Sequence, residues 1–388
     1  QIDATKYTRH QPEGGFTGFN AVVGEDEQYQ TVQAAIDAAP QDATPYYILV
    51  KKGVYEGHVQ IDRPNVHLTG QNKQNTIITD SKKAADGSVD NTSTINVTAD
   101  NVSFDNLTIR NTAGNVGQAL ALYTKGDRIA VTSCNVEGYQ DTYRTGKKGQ
   151  RHLVRNTKIS GRTDFIYNDG EVFFDSDTLH IVEGGGYIIA PAHITPSYGY
   201  VFRNAVITSA SAGMQTYLGR PWGDTPKAAF INTRLAEGVS IYPAGWVDMG
   251  GLPIQMAEYN TVDAQGNAVD LSQRKTSFTA DGKTATSKAV LGGVESDSYT
   301  LDNVLRGQDS WDADWQAFIL PAPAISVTDA TVSWADRTGF ATSYLVSVDG
   351  VASVTTNTSM ANPAGKTVFV RAISAYGVLS EEASSANP

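Results

Sequence analysis

Six hexapeptides in this chain share one pattern, and they restrict the fold more than any other feature of the sequence. They are Phe104-Asp-Asn-Leu-Thr-Ile109, Val131-Thr-Ser-Cys-Asn-Val136, Val154-Arg-Asn-Thr-Lys-Ile159, Phe174-Asp-Ser-Asp-Thr-Leu179, Phe202-Arg-Asn-Ala-Val-Ile207 and Phe230-Ile-Asn-Thr-Arg-Leu235. The first place is always apolar, and the sixth is always Ile, Leu or Val. The third is always Asn or Ser: Asn106, Ser133, Asn156, Ser176, Asn204 and Asn232. Successive copies start 27, 23, 20, 28 and 28 residues apart. That is the period of a solenoid whose coils carry loops of variable length. In such a fold the apolar places stack into a core along the axis. The Asn and Ser side chains stack at a bend, where they satisfy backbone groups that leave the sheet. The pattern predicts an all-β fold, a right-handed parallel β-helix. A β-propeller is the competing architecture, but its blades need about 40–45 residues, too long for these steps.

Chemistry enters between the hexapeptides. Gly138-Tyr-Gln-Asp-Thr142 follows the second copy and Gly161-Arg-Thr-Asp-Phe-Ile166 follows the third. Asp141 and Asp164 are 23 residues apart, the same step that separates Val131 from Val154. Residues at one phase of consecutive coils stack at the strand spacing of about 4.8 Å. Carboxylates that close raise each other's cost of ionising, so a working pair is expected. A pair of turn aspartates facing water is the plainer alternative. Gln118, in Gly117-Gln-Ala-Leu-Ala-Leu122, and Gln140 fall close to this pair. They are either functional amides or rungs of a stacked amide ladder. Arg220, in Tyr217-Leu-Gly-Arg-Pro-Trp222, is followed by a proline and a large aromatic. An arginine fixed in this way suits a bidentate bond to a carboxylate, with a surface ion pair as the alternative. Trp222 and Trp246 are sugar platforms if they lie in a groove, and core residues if they do not.

Composition narrows the classes. The chain has 388 residues, 18% of them charged, with 36 glycines, which suits a β-rich fold with many tight turns and room for two domains. Its net charge of −11 argues against nucleic acid, whose binding is driven by clustered Lys and Arg. No apolar run is long enough for a membrane span. Cys134 is the only cysteine, which rules out an intrachain disulfide, and no Cys/His spacing suggests a metal. No metal or cofactor is expected, and the chain is expected to act as a monomer. It begins with Gln1 rather than Met, which leads us to expect a mature secreted, cell-surface or periplasmic protein.

Residues 1–27 read as an extended polar lead-in. Val32, Ala35 and Ile36 fall at helical spacing, which predicts a short helix within residues 29–39 that caps the open end of the solenoid. Tyr46-Tyr-Ile-Leu-Val50 reads as a buried strand. Asn-x-Ser/Thr triplets at Asn91, Asn96, Asn101, Asn106 and Asn357 match the glycosylation pattern, although the repeat accounts for Asn106 as an inward ladder residue. Residues 310–318 read as a short terminal helix. Pro321-Ala-Pro323 then reads as a linker, which divides the chain into residues 1–320 and 321–388. The second part shows strand alternation, a hairpin signal at Asp349-Gly350 and a strand from Val368. With Trp334 and Tyr344 it resembles a fibronectin type III module, a small β-sandwich, and a spacer is its expected role.

Between about residues 28 and 318 the chain resembles the pectinesterases, also called pectin methylesterases. Gly117-Gln-Ala-Leu-Ala-Leu122, Gly138-Tyr-Gln-Asp-Thr142, Asp164-Phe-Ile166 and Leu218-Gly-Arg-Pro-Trp222 occur in family order. Together they are highly specific. Gly184-Gly-Gly-Tyr-Ile-Ile-Ala190 is closer to the bacterial members. The resemblance implies a parallel β-helix and hydrolysis of C6 methyl esters of homogalacturonan (pectin), without a metal or cofactor. It makes Asp164 the nucleophile, Asp141 the general acid and base, Gln118 and Gln140 the oxyanion hole, and Arg220 the group that holds Asp164 ionised. Tyr139, Phe165, Trp222 and Trp246 are the expected substrate contacts. Thr163, Tyr167-Asn168 and Gly57 depart from the family pattern without removing a catalytic group.

Two other classes stay open. A glycosidase also uses paired carboxylates, about 5–5.5 Å apart in retaining enzymes. It has no need of an oxyanion hole, which the two glutamines supply. A non-catalytic β-helix that binds polysaccharide has no reason to keep Asp141, Asp164 and Arg220 together. The acidic net charge leads us to expect a preference for highly methylated chains, because a like-charged product is repelled.

Overall fold

The computed structural model describes residues 15–388, of which residues 21–259 wind into a parallel β-helix. Three parallel sheets run its length. The first has ten strands, from Ala21–Val23 to Gln255–Tyr259, and the second and third have eight each. The polar lead-in lies partly outside the described residues. Its described part includes Ala21–Val23, which joins the first sheet by pairing with Tyr46–Val50.

The hexapeptide alignment is the strand register. Val131 pairs with Phe104 on one side and Val154 on the other, and Phe174, Phe202 and Phe230 continue that row. The sixth places pair in the same way, from Ile109 through Val136, Ile159, Leu179 and Ile207 to Leu235. All of these side chains are buried in one cluster. The rings of Phe174, Phe202 and Phe230 stack with centroids 4.1 and 4.3 Å apart. Truncating a buried ring of this kind to alanine typically costs about 3–5 kcal/mol.

Each third place turns the chain from the first sheet into the second. Asn106, Ser133, Asn156, Ser176, Asn204 and Asn232 all have φ between 50° and 60°, a left-handed conformation that short polar side chains tolerate best. Only Asn106 is buried, with its amide donating to the carbonyls of Gly70 and Gln71. The other five face outward, where Asn156 donates to Ser133. The residues that point inward at this bend are the fourth ones, Leu107, Cys134, Thr157, Asp177, Ala205 and Thr233.

Helix Val32–Asp37 caps the N-terminal end, with Thr31 accepting a bond from the Ala34 N–H and Val32, Ala35 and Ile36 buried in the core. At the other end, Glu258 stands in the row of Phe230. Arg274 reaches back to it from the following excursion and bonds both carboxylate oxygens, with neither side chain exposed beyond 1%. Residues 261–309, which the sequence did not place, form a hairpin (Ser277–Ala280 with Lys283–Thr286) and two short helices. The terminal helix is the four-residue Ala313–Gln316.

Beyond residue 320 the strands are antiparallel, in one sheet of three and one of four. Asp349 and Gly350 both have positive φ and join Ser343–Val348 to Val351–Thr355, as the hairpin signal predicts. Val332 and Trp334 of one sheet share a buried cluster with Tyr344, Val346, Val368, Val370 and Ala372 of the other. This region packs on the outer face of the first sheet. Leu345, Ile373 and Leu379 meet Tyr47 and Leu49, and the Leu379 N–H donates to the buried Asp105 at 2.8 Å. The outer face of the first sheet is thereby covered, and the third sheet remains free to carry a site.

Candidate active site

Asp141 and Asp164 come together beside the third sheet, as the 23-residue step requires. Gln140 bridges to Thr163 in parallel register, and the Asp141 N–H donates to the Thr163 carbonyl at 3.0 Å. Both aspartates have left-handed backbone, φ 61° and 49°. The strand register shifts between Thr163 and Ile166, so Asp164 sits on a bulge. Left-handed positions for residues other than glycine cost about 1–3 kcal/mol and gather at functional sites. Here they turn the two carboxyls away from the core row and into a pocket of about 440 Å³. Gln118, Gln140, Arg144, Tyr167, Arg220, Trp222 and Met249 also line this pocket.

Arg220 holds Asp164 with both arms of its guanidinium, Nε to Oδ1 at 2.9 Å and Nη2 to Oδ2 at 2.7 Å. Behind it, the Tyr187 ring lies 4.0 Å from the guanidinium carbon and is itself stacked on Tyr217. Burial raises the Asp164 carboxyl above the ordinary carboxylate value, while the hydrogen bond and charge of Arg220 hold that rise back. Arg220 thus favours the charged form of Asp164 and moderates the effect of burial without cancelling it. Among the described residues Asp141 has no such partner. Burial pushes its carboxyl up to about 8, and the Asp164 charge adds to this, against the pull of Arg144, Tyr167 and Arg220. The Tyr167 hydroxyl is near enough to Asp141 to act on it but makes no well-formed hydrogen bond. The two carboxyls are therefore unequal: Asp141 is the one that burial and its neighbour's charge drive toward the protonated form, and Asp164 the one whose charge a cation favours. Among the described residues, neither the Gln118 nor the Gln140 side-chain amide is taken up by a hydrogen bond within the chain, so both are free to donate into the pocket. Cys134 is buried in the core, its thiol raised to about 12 by burial, and it offers no competing nucleophile.

The expected substrate contacts divide. Trp222 is 40% exposed and lines the pocket. Trp246 is 1% exposed and packs against Phe230 in the solenoid core, so it is no sugar platform. Phe165 is also fully buried, because the bulge that turns Asp164 outward turns its neighbour inward. Tyr139 lies outside the lining, with its hydroxyl donating to Glu183. Sequence reasoning missed Arg144, Tyr167 and Met249. Arg144 had a signal, since it is a lone cation on the short strand directly after Asp141-Thr142.

Comparison with known proteins agrees with this geometry. Residues 20–307 match the pectinesterase family model. The chain is 32% identical over 264 residues to a probable pectinesterase A of Aspergillus niger, covering 64% of this chain and 79% of that protein. It is 32% identical over 248 residues to pectinesterase 2 of Citrus sinensis, covering 60% of this chain but only 48% of that longer protein. Among solved structures, the pectin methylesterase of Erwinia chrysanthemi superposes with a TM-score of 0.62 at 27% identity, covering 77% of this chain and 99% of that one. The carrot enzyme superposes with a TM-score of 0.65 at 27% identity, covering 78% and 98%. On these grounds the chain belongs to the pectinesterase family.

Proposed function

We propose that this chain hydrolyses the C6 methyl esters of homogalacturonan to pectate and methanol, with Asp164 as a covalent nucleophile. The observation that carries the reading is the mixed carboxyl pair, one aspartate clamped by Arg220 and the other holding its proton. Asp164 attacks the ester carbonyl carbon, and the carbonyl electrons move onto oxygen. Gln118 and Gln140 donate to that oxyanion, and losing one such donor typically costs about 10²–10³ in kcat. The tetrahedral intermediate collapses, Asp141 gives its proton to the departing methoxide oxygen, and methanol leaves. An anhydride between Asp164 and the sugar C6 remains. Asp141, now ionised, takes a proton from water as the water oxygen attacks C6. Collapse returns the Asp164 carboxylate and frees the galacturonate acid.

A related pectin methylesterase has been solved with a bound hexasaccharide, at 27% identity and a TM-score of 0.62, which supports a polymeric substrate lying across the pocket. Exposed Trp222 is the sugar platform we assign. A wall polymer of this kind is met outside the cell, so we place the enzyme at the surface, in the periplasm or in the medium. The Gly184 segment favours a bacterial-type member. Among the described residues no helix is long and apolar enough to cross a membrane. Residues 321–388 are best read as a fibronectin type III-like β-sandwich. It is supported by two antiparallel sheets around one core, and its docking on the first sheet suits a rigid spacer away from the site.

Methanol and new reducing ends, assayed together on highly methylated pectin, test this reading. Methanol without reducing ends, abolished by Asp164→Ala, is the expected result. New reducing ends would move the chemistry to chain cleavage. Binding with neither product would leave a solenoid that only holds pectin.

A further inference from the structure

Of the two amides assigned to the oxyanion, Gln140 is fixed by the coil that carries it, through its bridge to Thr163. Gln118 lies outside the strands. It ends a largely exposed excursion, residues 112–118, in which Gly114 and Gly117 turn with φ of 78° and 89°, and the next strand begins only at Leu122. Gln118 is itself exposed, and among the described residues its side chain makes no hydrogen bond within the chain. A donor serves an oxyanion only if it is aimed before the charge develops. The aim of Gln118 therefore comes from whatever holds its backbone.

One loop supplies that hold. Residues 82–92 make the same passage from the second sheet to the third, one coil earlier. The Ala84 N–H on this loop donates to the Gln118 carbonyl at 2.9 Å. Asn111, 4% exposed, closes the base of the loop. Its amide nitrogen donates to the carbonyls of Lys82 at 2.9 Å, Thr92 at 3.2 Å and Leu120 at 3.0 Å, and its oxygen accepts from the Ala113 N–H. One side chain thus joins both ends of the loop to the chain two residues past Gln118. Thr92 holds Leu120 as well, its hydroxyl accepting from the Leu120 N–H at 3.0 Å and donating to the Val89 carbonyl at 2.8 Å. The tip of the loop reaches the catalytic pocket, where Val89 joins the lining and Asp90 pairs with Arg144.

Resting on the esterase reading, we infer that Asn111 is a positioning residue: it locks the 82–92 loop against the Gln118–Leu120 segment, and the Ala84 N–H on that loop sets the aim of the Gln118 amide. Loss of the lock leaves Asp141, Asp164 and Arg220 in place and lets Gln118 swing. A misplacement of about 1 Å can cost about 10²-fold in rate.

The test compares Asn111→Ala and Ala84→Pro, each alone and combined with Gln118→Ala, with the parent by methanol release from highly methylated pectin and by melting temperature. Ala84 opens a short 3-10 turn, and Lys83 before it is extended, with φ −133° and ψ 154°, so a proline there deletes the N–H and keeps the turn. Each variant alone should lose about tenfold to a hundredfold in kcat with KM unchanged, and Ala84→Pro should do so at the parent's melting temperature. In the Gln118→Ala background neither should lose more than about twofold further, because the amide they aim is gone. Losses that multiply with that of Gln118→Ala would overturn the inference, as would Ala84→Pro at full kcat. If Asn111→Ala melts too low to assay, the Ala84→Pro cycle decides alone. No methanol from the parent, or full kcat in Gln118→Ala, counts against the esterase reading, whereas multiplied losses count only against the positioning.

Discussion

The guanidinium of Arg220 grips the Asp164 carboxylate through two bonds of 2.9 and 2.7 Å, while Asp141, one coil away, makes no ion pair among the described residues. In the mechanism we propose, this asymmetry divides two chemically identical side chains into an attacking group and a proton carrier. Without it, the effect of burial on Asp164 would go unopposed and its carboxyl would rise further.

Replacing Arg220 tests that division. Arg220→Lys keeps a charge but loses the fork, and Arg220→Ala loses both. Removing one partner of a buried ion pair typically costs about 3–5 kcal/mol, because the other charge is left buried alone. Asp164 should answer by holding its proton to higher pH. The acid limb of the kcat/KM profile should therefore move upward, strongly in the alanine variant and less in the lysine. Activity that falls with no movement of the limb would mean that Arg220 serves substrate binding instead.

The parent profile itself should be a bell. Attack needs ionised Asp164, so activity rises as pH climbs through the carboxylate range. Acid catalysis needs protonated Asp141, so activity is lost as pH rises through about 8. Arg144 holds the Asp141 value down, so Arg144→Gln should shift the alkaline limb to higher pH. A shift to lower pH would contradict the assignment.

Asp177 is a buried carboxyl in the core of the solenoid. One oxygen accepts from the Thr157 N–H at 2.9 Å and the other has no partner among the described residues. Burial raises it well above its ordinary value, so the folded protein keeps it neutral. The unfolded chain releases that proton near pH ~3.9. As pH rises past that point the unfolded state gains, and the fold loses stability until the folded group itself titrates. An asparagine side chain in its place would keep the acceptor without the titration. Asp177→Asn should therefore melt higher than the parent by a margin that widens from pH ~4 to pH ~7. A margin that shrinks would mean the carboxyl is ionised in the fold.

The Glu258–Arg274 pair closes the last coil with both side chains out of water. Glu258→Ala or Arg274→Ala should each cost about 3–5 kcal/mol by denaturant unfolding, since each strands a buried charge. Glu258→Leu/Arg274→Met should recover most of that loss. Additive losses in the double variant would contradict the pairing.

The solenoid was legible because one row of apolar residues and one turn residue recur at fixed places, from Phe104 to Leu235. The coils on either side were not, for two local reasons. Leu68 and Ile78 take the same rows as Phe104 and Ile109, but a longer turn separates them and breaks the hexapeptide. Glu258 continues the row of Phe230 with a charge, which only its pairing to the distant Arg274 makes tolerable. At the site, spacing placed the aspartates side by side, since register carries phase from coil to coil. Spacing says nothing about which neighbour a bulge turns inward, so Phe165 was misjudged as a groove residue, and nothing local to Trp246 shows that it packs on Phe230 in the core. Arg144 follows Asp141-Thr142 directly, but the partners that fix its place, Tyr123 and Asp90, are brought to it only by the wound chain.

Covalent attack by Asp164 is the central claim, and trapping tests it most directly. The parent enzyme would be quenched with hydroxylamine during a single turnover on methylated hexagalacturonate and its peptides analysed by mass. An anhydride at Asp164 should yield a hydroxamate on the peptide carrying that residue, only when substrate is present. Methanol released in full with a hydroxamate on neither Asp164 nor the sugar C6 would contradict the account and assign the attack to water.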